Sequence, residues 1–158
     1  MTRNYLRTFK ILVMIFTMVS GYYSNASNFK EYFVYLKSNE VNLRTGPSKK
    51  YPIKWVIKHP GEPLRVIAKF EQWIKVRDID EDEGWVMDAF ASPKLQGGII
   101  VGSKLVTMYK RPVTSSQKIA RLEQKVRVKV NKCIETEWCS ISIKDFKGWV
   151  PQKYLWGI

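Results

Sequence analysis

The sequence repeats itself, and that repetition limits what the chain can fold into more than any other feature. Trp73-Ile74-Lys75-Val76, followed after an acidic gap by Gly84-Trp85-Val86, returns as Trp138-Cys139-Ser140-Ile141 and Gly148-Trp149-Val150. The two Trp-to-Trp spacings differ by one residue. A spacing kept that closely points to one unit used twice rather than to one large domain. Inside each copy the residues alternate as half-buried strands do: Leu64, Val66, Ala68 and Phe70 against Arg65 and Lys69, then Val126, Val128 and Val130 against Arg127 and Lys129. The first copy carries no convincing helical pattern. The expectation is an all-β chain of two five-stranded units. Each unit has roughly 60 residues and buries only a modest core, so closing each sheet into a small barrel would hide its edges, and packing the copies together would add stability.

The chain divides accordingly. Tyr32 to Leu36 favours a strand, and Val41-Asn42-Leu43-Arg44 alternates before breaking at Thr45-Gly46-Pro47; Tyr51-Pro52-Ile53 resumes after a polar gap. Gly46 is expected to take a positive φ there and Pro47 to fix its own, giving a stiff loop that frames a groove. Ala91 to Gly98 has a linker's composition. The expected barrels are therefore residues 30–92 and 99–158, joined by a linker at 93–98.

On these residues the chain resembles the bacterial SH3-like (SH3b) domain family, and more closely the secreted tandem SH3-like proteins of Gram-negative bacteria. The first copy carries the resemblance in Val41 to Pro47, Tyr51-Pro52-Ile53, Trp55-Val56, Gly61, Trp73, Val76-Arg77 and Gly84-Trp85-Val86. The second carries it in Ile119 to Glu123, Cys133, Trp138-Cys139, Gly148-Trp149-Val150 and Leu155-Trp156-Gly157. The resemblance implies two tandem SH3-like β-barrels and binding to cell-wall peptides or other envelope components. Where the first copy has Asn-x-Arg-x-Gly-Pro, the second has Thr107-Met108-Tyr109-Lys110-Arg111-Pro112, without the glycine. A groove of the usual type is expected in the first copy only.

The N-terminus bears on where such a protein would work. Arg3, Arg7 and Lys10 precede an apolar run from Ile11 to Val19, and Ser24-Asn25-Ala26 offers small residues beyond it. That is a secretory signal pattern over residues 1–26, and the run is much shorter than the roughly 20 residues of a membrane-spanning helix. The expectation is an exported protein, periplasmic or associated with the cell envelope. The whole chain has a formal charge of +13; beyond Ala26, 24 basic and 14 acidic side chains remain, +10. Residues 27–97 hold 12 basic and 10 acidic side chains, and residues 98–158 hold 12 and 4. The basic surplus belongs to the second copy. Outside the cytoplasm nucleic acid is a poor partner for it; acidic envelope polymers and anionic membrane surfaces remain.

Four constellations follow. Arg44, Tyr51, Trp55 and Trp73 lie near strand ends that converge on one side of an SH3-like barrel, where the cation would meet a peptide carboxylate and the rings its apolar parts; the alternative is that the rings fill a small core. Trp85 and Trp149 are expected in the core. Lys125, Arg127 and Lys129 point outward together if the valines point inward, forming either a solvated face or an anion-binding one. Cys133 and Cys139, the only cysteines, favour a disulfide across a hairpin in an exported chain, two buried free thiols being the alternative.

Catalysis finds little support. His59 is the sole histidine and sits in a Pro-Gly turn, and oxidised cysteines leave no nucleophile. The acidic loop Asp78 to Glu83 lacks the glycine and the terminal acid of a calcium-binding loop, so neither a metal nor a cofactor is expected. The sequence therefore reads as a non-enzymatic exported module that binds peptidoglycan or its stem peptides. The alternatives are a periplasmic scaffold for another envelope protein, or peripheral contact with an anionic membrane through the second barrel.

Overall fold

The computed structural model describes residues 29–158; the expected signal segment lies outside the described residues. Strands β1 (Tyr32–Leu36), β2 (Val41–Arg44), β3 (Ile53–Ile57), β4 (Pro63–Phe70), β5 (Trp73–Arg77), β6 (Glu83–Met87) and β7 (Ala91–Ser92) form one sheet in the order β3-β2-β6-β5-β4-β1-β7. Strands β8 (Gly97–Ile100), β9 (Leu105–Tyr109), β10 (Lys118–Glu123), β11 (Arg127–Ile134), β12 (Trp138–Ile143), β13 (Phe146–Pro151) and β14 (Leu155–Trp156) form the second, in the order β10-β9-β13-β12-β11-β8-β14. The orders are the same permutation, so the repeat in sequence is a repeat in topology. The fold is all-β with two tandem SH3-like units. Each unit has seven strands rather than five; one of the two additional strands in each is a two-residue closing strand, β7 paired to β1 and β14 paired to β8, too short for alternation to reveal.

Each copy has its own core. In the first, Leu36, Leu43, Val66, Ile74 and Val86 are buried together; in the second, Met108, Val130, Cys139, Ile141 and Val150. The Gly-Trp-Val motif is the device that lets two strands approach. Gly84 faces inward, where an added Cβ would lie 2.5 Å from the Leu43 side chain, and at Gly148 it would lie 2.6 Å from Met108 Cγ. With Gly84 and Val86 inward, alternation turns Trp85 outward, and Trp149 likewise. The expectation that these two rings belong to the core is thus corrected: both are only half-buried, and Lys132 Nζ stands 5.8 Å from the Trp149 ring. A register shift between Val66 and Ala68 ends the alternation of β4 early, which leaves Phe70 53% exposed.

The copies are docked. Gly97, expected in a linker, is the first residue of β8 and pairs with Lys129; a Cβ there would collide with the Gly61 carbonyl oxygen. The linker is therefore shorter than 93–98, and Gly97 is a packing residue rather than a flexible one. Tyr35 Oη donates to the Gly157 carbonyl at 2.6 Å, and burial pushes its hydroxyl above the ordinary tyrosine value, which keeps it a donor. Phe33 meets Trp156 edge to face at 5.0 Å. Arg127 donates to both carboxylate oxygens of Glu62, from Nε at 2.5 Å and Nη2 at 2.8 Å, and Lys125 Nζ donates to Asp80 Oδ1.

Those two contacts correct the reading of Lys125, Arg127 and Lys129 as an anion-binding face. Val128 and Val130 do point inward. The cations opposite them, however, face the acidic residues of the first barrel, and two of the three are spent on Glu62 and Asp80. Only Lys129 remains exposed without an ion pair among the described residues. The guanidinium of Arg127 is held above its ordinary value chiefly by its hydrogen bonds to Glu62. Cys133 and Cys139 stand opposite each other on β11 and β12, with Cα atoms 4.0 Å apart, and form a disulfide.

Candidate functional site

The open end of the first barrel is shaped by the loop between β2 and β3. Thr45 N–H donates to the Pro52 carbonyl, Ser48 N–H to that of Gly46, and Tyr51 N–H to that of Ser48. Arg44 Nη1 reaches across to donate to the Tyr51 carbonyl at 2.8 Å. Gly46 does not take a positive φ. Its necessity is steric: an added Cβ would lie 2.5 Å from the Tyr51 ring. The ring lies flat on the backbone there, and 47% of the residue stays exposed.

Trp55 comes from β3, the outermost strand of its sheet. It pairs with Leu43, so the two side chains share a face; Leu43 is buried, whereas Trp55, at the barrel's mouth, is 51% exposed. Between them opens a cavity of about 270 Å³. Leu43, Ile57, Leu64 and Val76 form its floor, Trp55 its wall, and Asp78 and Asp82 its rim. The acids belong to the turn between β5 and β6, where Asp78 Oδ1 accepts from the backbone N–H of Asp80 at 2.9 Å and of Asp82 at 3.0 Å. The sequence shows this turn as an acidic loop without a calcium-binding pattern; its position beside a cavity is not legible there. Among the described residues no group of three His, Cys, Asp or Glu is arranged to hold a metal ion.

The four expected ligand-binding residues do not stay together. Arg44 and Tyr51 are joined by the hydrogen bond between them, whereas Trp55 shares the inward face of Leu43 and so lies on the opposite face of β2 from Arg44, the partner of outward-facing Trp85; Arg44 forms no ion pair among the described residues. Trp73 does not belong with them. It is 4% exposed, pairs with Phe70 and Met87, and has no free face to offer a ligand. Its place at the start of β5, next to a tight turn, suggested a loop end; the hairpin instead carries it under its neighbours.

The second barrel fills the corresponding place. Arg44 is the register partner of Trp85 and Tyr109 that of Trp149, so Tyr109 takes the position of Arg44. Its ring stands edge to face with Trp138 at 5.6 Å. Without the glycine, the loop is closed by Ser116, whose buried hydroxyl accepts from Arg111 N–H at 3.0 Å. A larger cleft of about 660 Å³ lies between the barrels, but its principal charges, Glu62 and Arg127, are already paired with each other.

A family model described as bacterial SH3 domain matches the chain twice, over residues 37–90 and 102–157. Among solved structures, NlpC1 from Trichomonas vaginalis is similar at 12% identity, covering 83% of this chain and 47% of that one, with a TM-score of 0.37. NlpC2 from the same organism is similar at 11% identity, with coverages of 80% and 48% and a TM-score of 0.38. An NlpC/P60 family protein from Bacillus cereus is similar at 11% identity, with coverages of 78% and 55% and a TM-score of 0.34. The chain spans about half the length of these structures. No curated protein matches it.

Proposed function

Because the chain belongs to the bacterial SH3 domain family, with one copy in residues 37–90 and another in 102–157, we propose that it is an exported, non-enzymatic binding protein of the cell envelope whose ligand is peptidoglycan or its stem peptides. The observation that carries this reading is the mouth of the first barrel. A half-exposed Trp55 stands over an apolar cavity, and on the outer face of β2 next to it Arg44, which forms no ion pair among the described residues, is bonded to the Tyr51 carbonyl. Such a surface suits a short peptide that has both apolar and carboxylate groups. The disulfide between Cys133 and Cys139 and the exposed turn position of His59 support binding rather than catalysis.

Co-sedimentation with purified sacculi tests the proposal. The protein is expected in the pellet at physiological salt, and its remaining in the supernatant would refute the reading. A second reading, a scaffold for another envelope protein, is favoured by the outer edge of β3, where Ile53 and Val56 are exposed and an extended segment would add a strand. A stoichiometric protein partner that survives wall digestion after crosslinking in cells would select it. Contact with anionic membrane through the second barrel is less favoured, since Lys125 and Arg127 are committed to the first barrel.

A further inference from the structure

We propose that the cavity beside Trp55 takes the end of an aliphatic side chain that carries a primary ammonium, of the lysine type; the proposal rests on the mouth of the first barrel being the ligand face. The cavity is layered in the way such a group is layered. Its floor of Leu43, Ile57, Leu64 and Val76 is wholly aliphatic and matches a four-carbon stem, which gains by leaving water. Its rim carries Asp78 and Asp82, where an ammonium at the end of that stem arrives. At about 270 Å³ it lies below the roughly 300–1,000 Å³ of pockets that enclose drug-sized ligands, and so suits one side chain.

The charges at the rim are unequally used. Lys54 Nζ already lies 3.1 Å from Asp82 Oδ1, 3.2 Å from the Glu83 carbonyl oxygen and 5.9 Å from the centroid of the Trp55 ring. The chain thus places one of its own ammonium groups against this carboxylate and this indole, an arrangement that both carboxylate and ring favour. Asp78 differs. Its Oδ1 is occupied by two backbone donors, and its Oδ2 has no hydrogen bond from any described residue. Of the five acids of this turn, Asp80, Glu81, Asp82 and Glu83 are ion-paired with Lys125, Arg77, Lys54 and Lys75, and Asp78 alone has no ion pair among the described residues. A carboxylate ligand would be repelled from this cavity, and a wholly apolar one would leave Asp78 facing it without a partner.

The experiment titrates the isotope-labelled protein with Nα-acetyl-lysine N-methylamide and, in parallel, with the norleucine analogue, which has the stem and no ammonium. The lysine probe is expected to shift the Trp55 indole N–H and the amides of Leu43, Ile57, Val76 and Asp78. The norleucine probe is expected to leave them in place. Asp78→Asn keeps the oxygen that accepts from Asp80 and Asp82, so the turn survives, and it is expected to weaken the lysine probe about tenfold. Lys54→Gln removes the competing ammonium and is expected to tighten it. Equal shifts with both probes, no shifts with lysine, or an unchanged affinity in Asp78→Asn would each overturn the inference. If sacculi retain the protein while the lysine probe shifts nothing, the pocket assignment fails and the envelope reading stands. Lysine-probe shifts in a protein that sacculi do not retain would leave the pocket's chemistry standing and remove its envelope ligand.

Discussion

Replacing Arg127 with Met is expected to cost more stability than replacing its partner Glu62 with Met, because the two ends of the pair are unequally hydrated. The Glu62 side chain is 6% exposed and that of Arg127 45%. When the carboxylate is removed, the guanidinium is already half in water and rehydrates. When the guanidinium is removed, the carboxylate stays buried against the seam between the barrels with no partner. Breaking a buried pair from one side costs about 3–5 kcal/mol, and an exposed pair contributes about 0–1 kcal/mol. Discounted for its half-exposed cation, this pair should lose about 2–3 kcal/mol in Arg127→Met and about 1 kcal/mol in Glu62→Met. The double variant, which leaves no orphaned charge, is expected within about 1 kcal/mol of the parent. Urea unfolding followed by tryptophan emission reads this directly, since a loss of 2–3 kcal/mol moves the midpoint by about 1 M or more at ordinary denaturant slopes. Equal and small losses in the two single variants would refute the reasoning, for they would mean that Glu62 is as wet as Arg127.

Three further outcomes are expected. Trp55→Ala should change stability by no more than about 0.5 kcal/mol yet abolish retention on sacculi, whereas Trp73→Ala should cost about 3–5 kcal/mol; thermal melts beside the sedimentation assay separate the two. Reducing the disulfide between Cys133 and Cys139 closes no long loop and should cost about 2 kcal/mol, measurable as a lower urea midpoint in reductant. Hydrogen bonds from Lys75 and Arg77 hold the Glu83 carboxyl below its ordinary value of 4.5. A depressed folded value gives a contribution present above the unfolded one and lost as pH falls, so stability should decline below about pH 4.5 and do so less in Glu83→Gln.

The sequence made the repeat legible because strand alternation and glycine spacing are local properties, and the docking of the copies was not legible because it depends on what alternation brings opposite what. Lys125, Arg127 and Lys129 show the difference. Their outward direction follows from three valines, but nothing within β11 says that Glu62 and Asp80, 65 and 45 residues away, will stand before two of them. Gly97 shows it again: a glycine in a run of small and polar residues reads as slack, and only the carbonyl of Gly61 shows that it marks a point of tight contact. Trp85 and Trp149 read as core residues for a related reason. Ring content alone does not say which face of a strand a tryptophan takes, and the inward glycine of each Gly-Trp-Val decides it.

The same logic explains why the two copies have diverged where they have. Each barrel alone is small enough to be marginal, and each lends the other what it lacks. The first presents the carboxylates of Glu62 and Asp80; the second supplies Arg127 and Lys125 to pair with them and a disulfide to close its own hairpin. Without the glycine loop of the first copy, the second has Tyr109 in the place of Arg44 and packs it on Trp138, turning a mouth into a filled surface. The first copy keeps its mouth open at the expense of exposed Trp55 and Tyr51. That division predicts an asymmetry in repair: Tyr109→Arg should lower the stability of the second barrel by removing the contact with Trp138, and it should create no new binding, because the loop beyond it still lacks the glycine over which a Tyr51-like ring would lie. Sacculus retention by Tyr109→Arg in a Trp55→Ala background would overturn this account of the divergence.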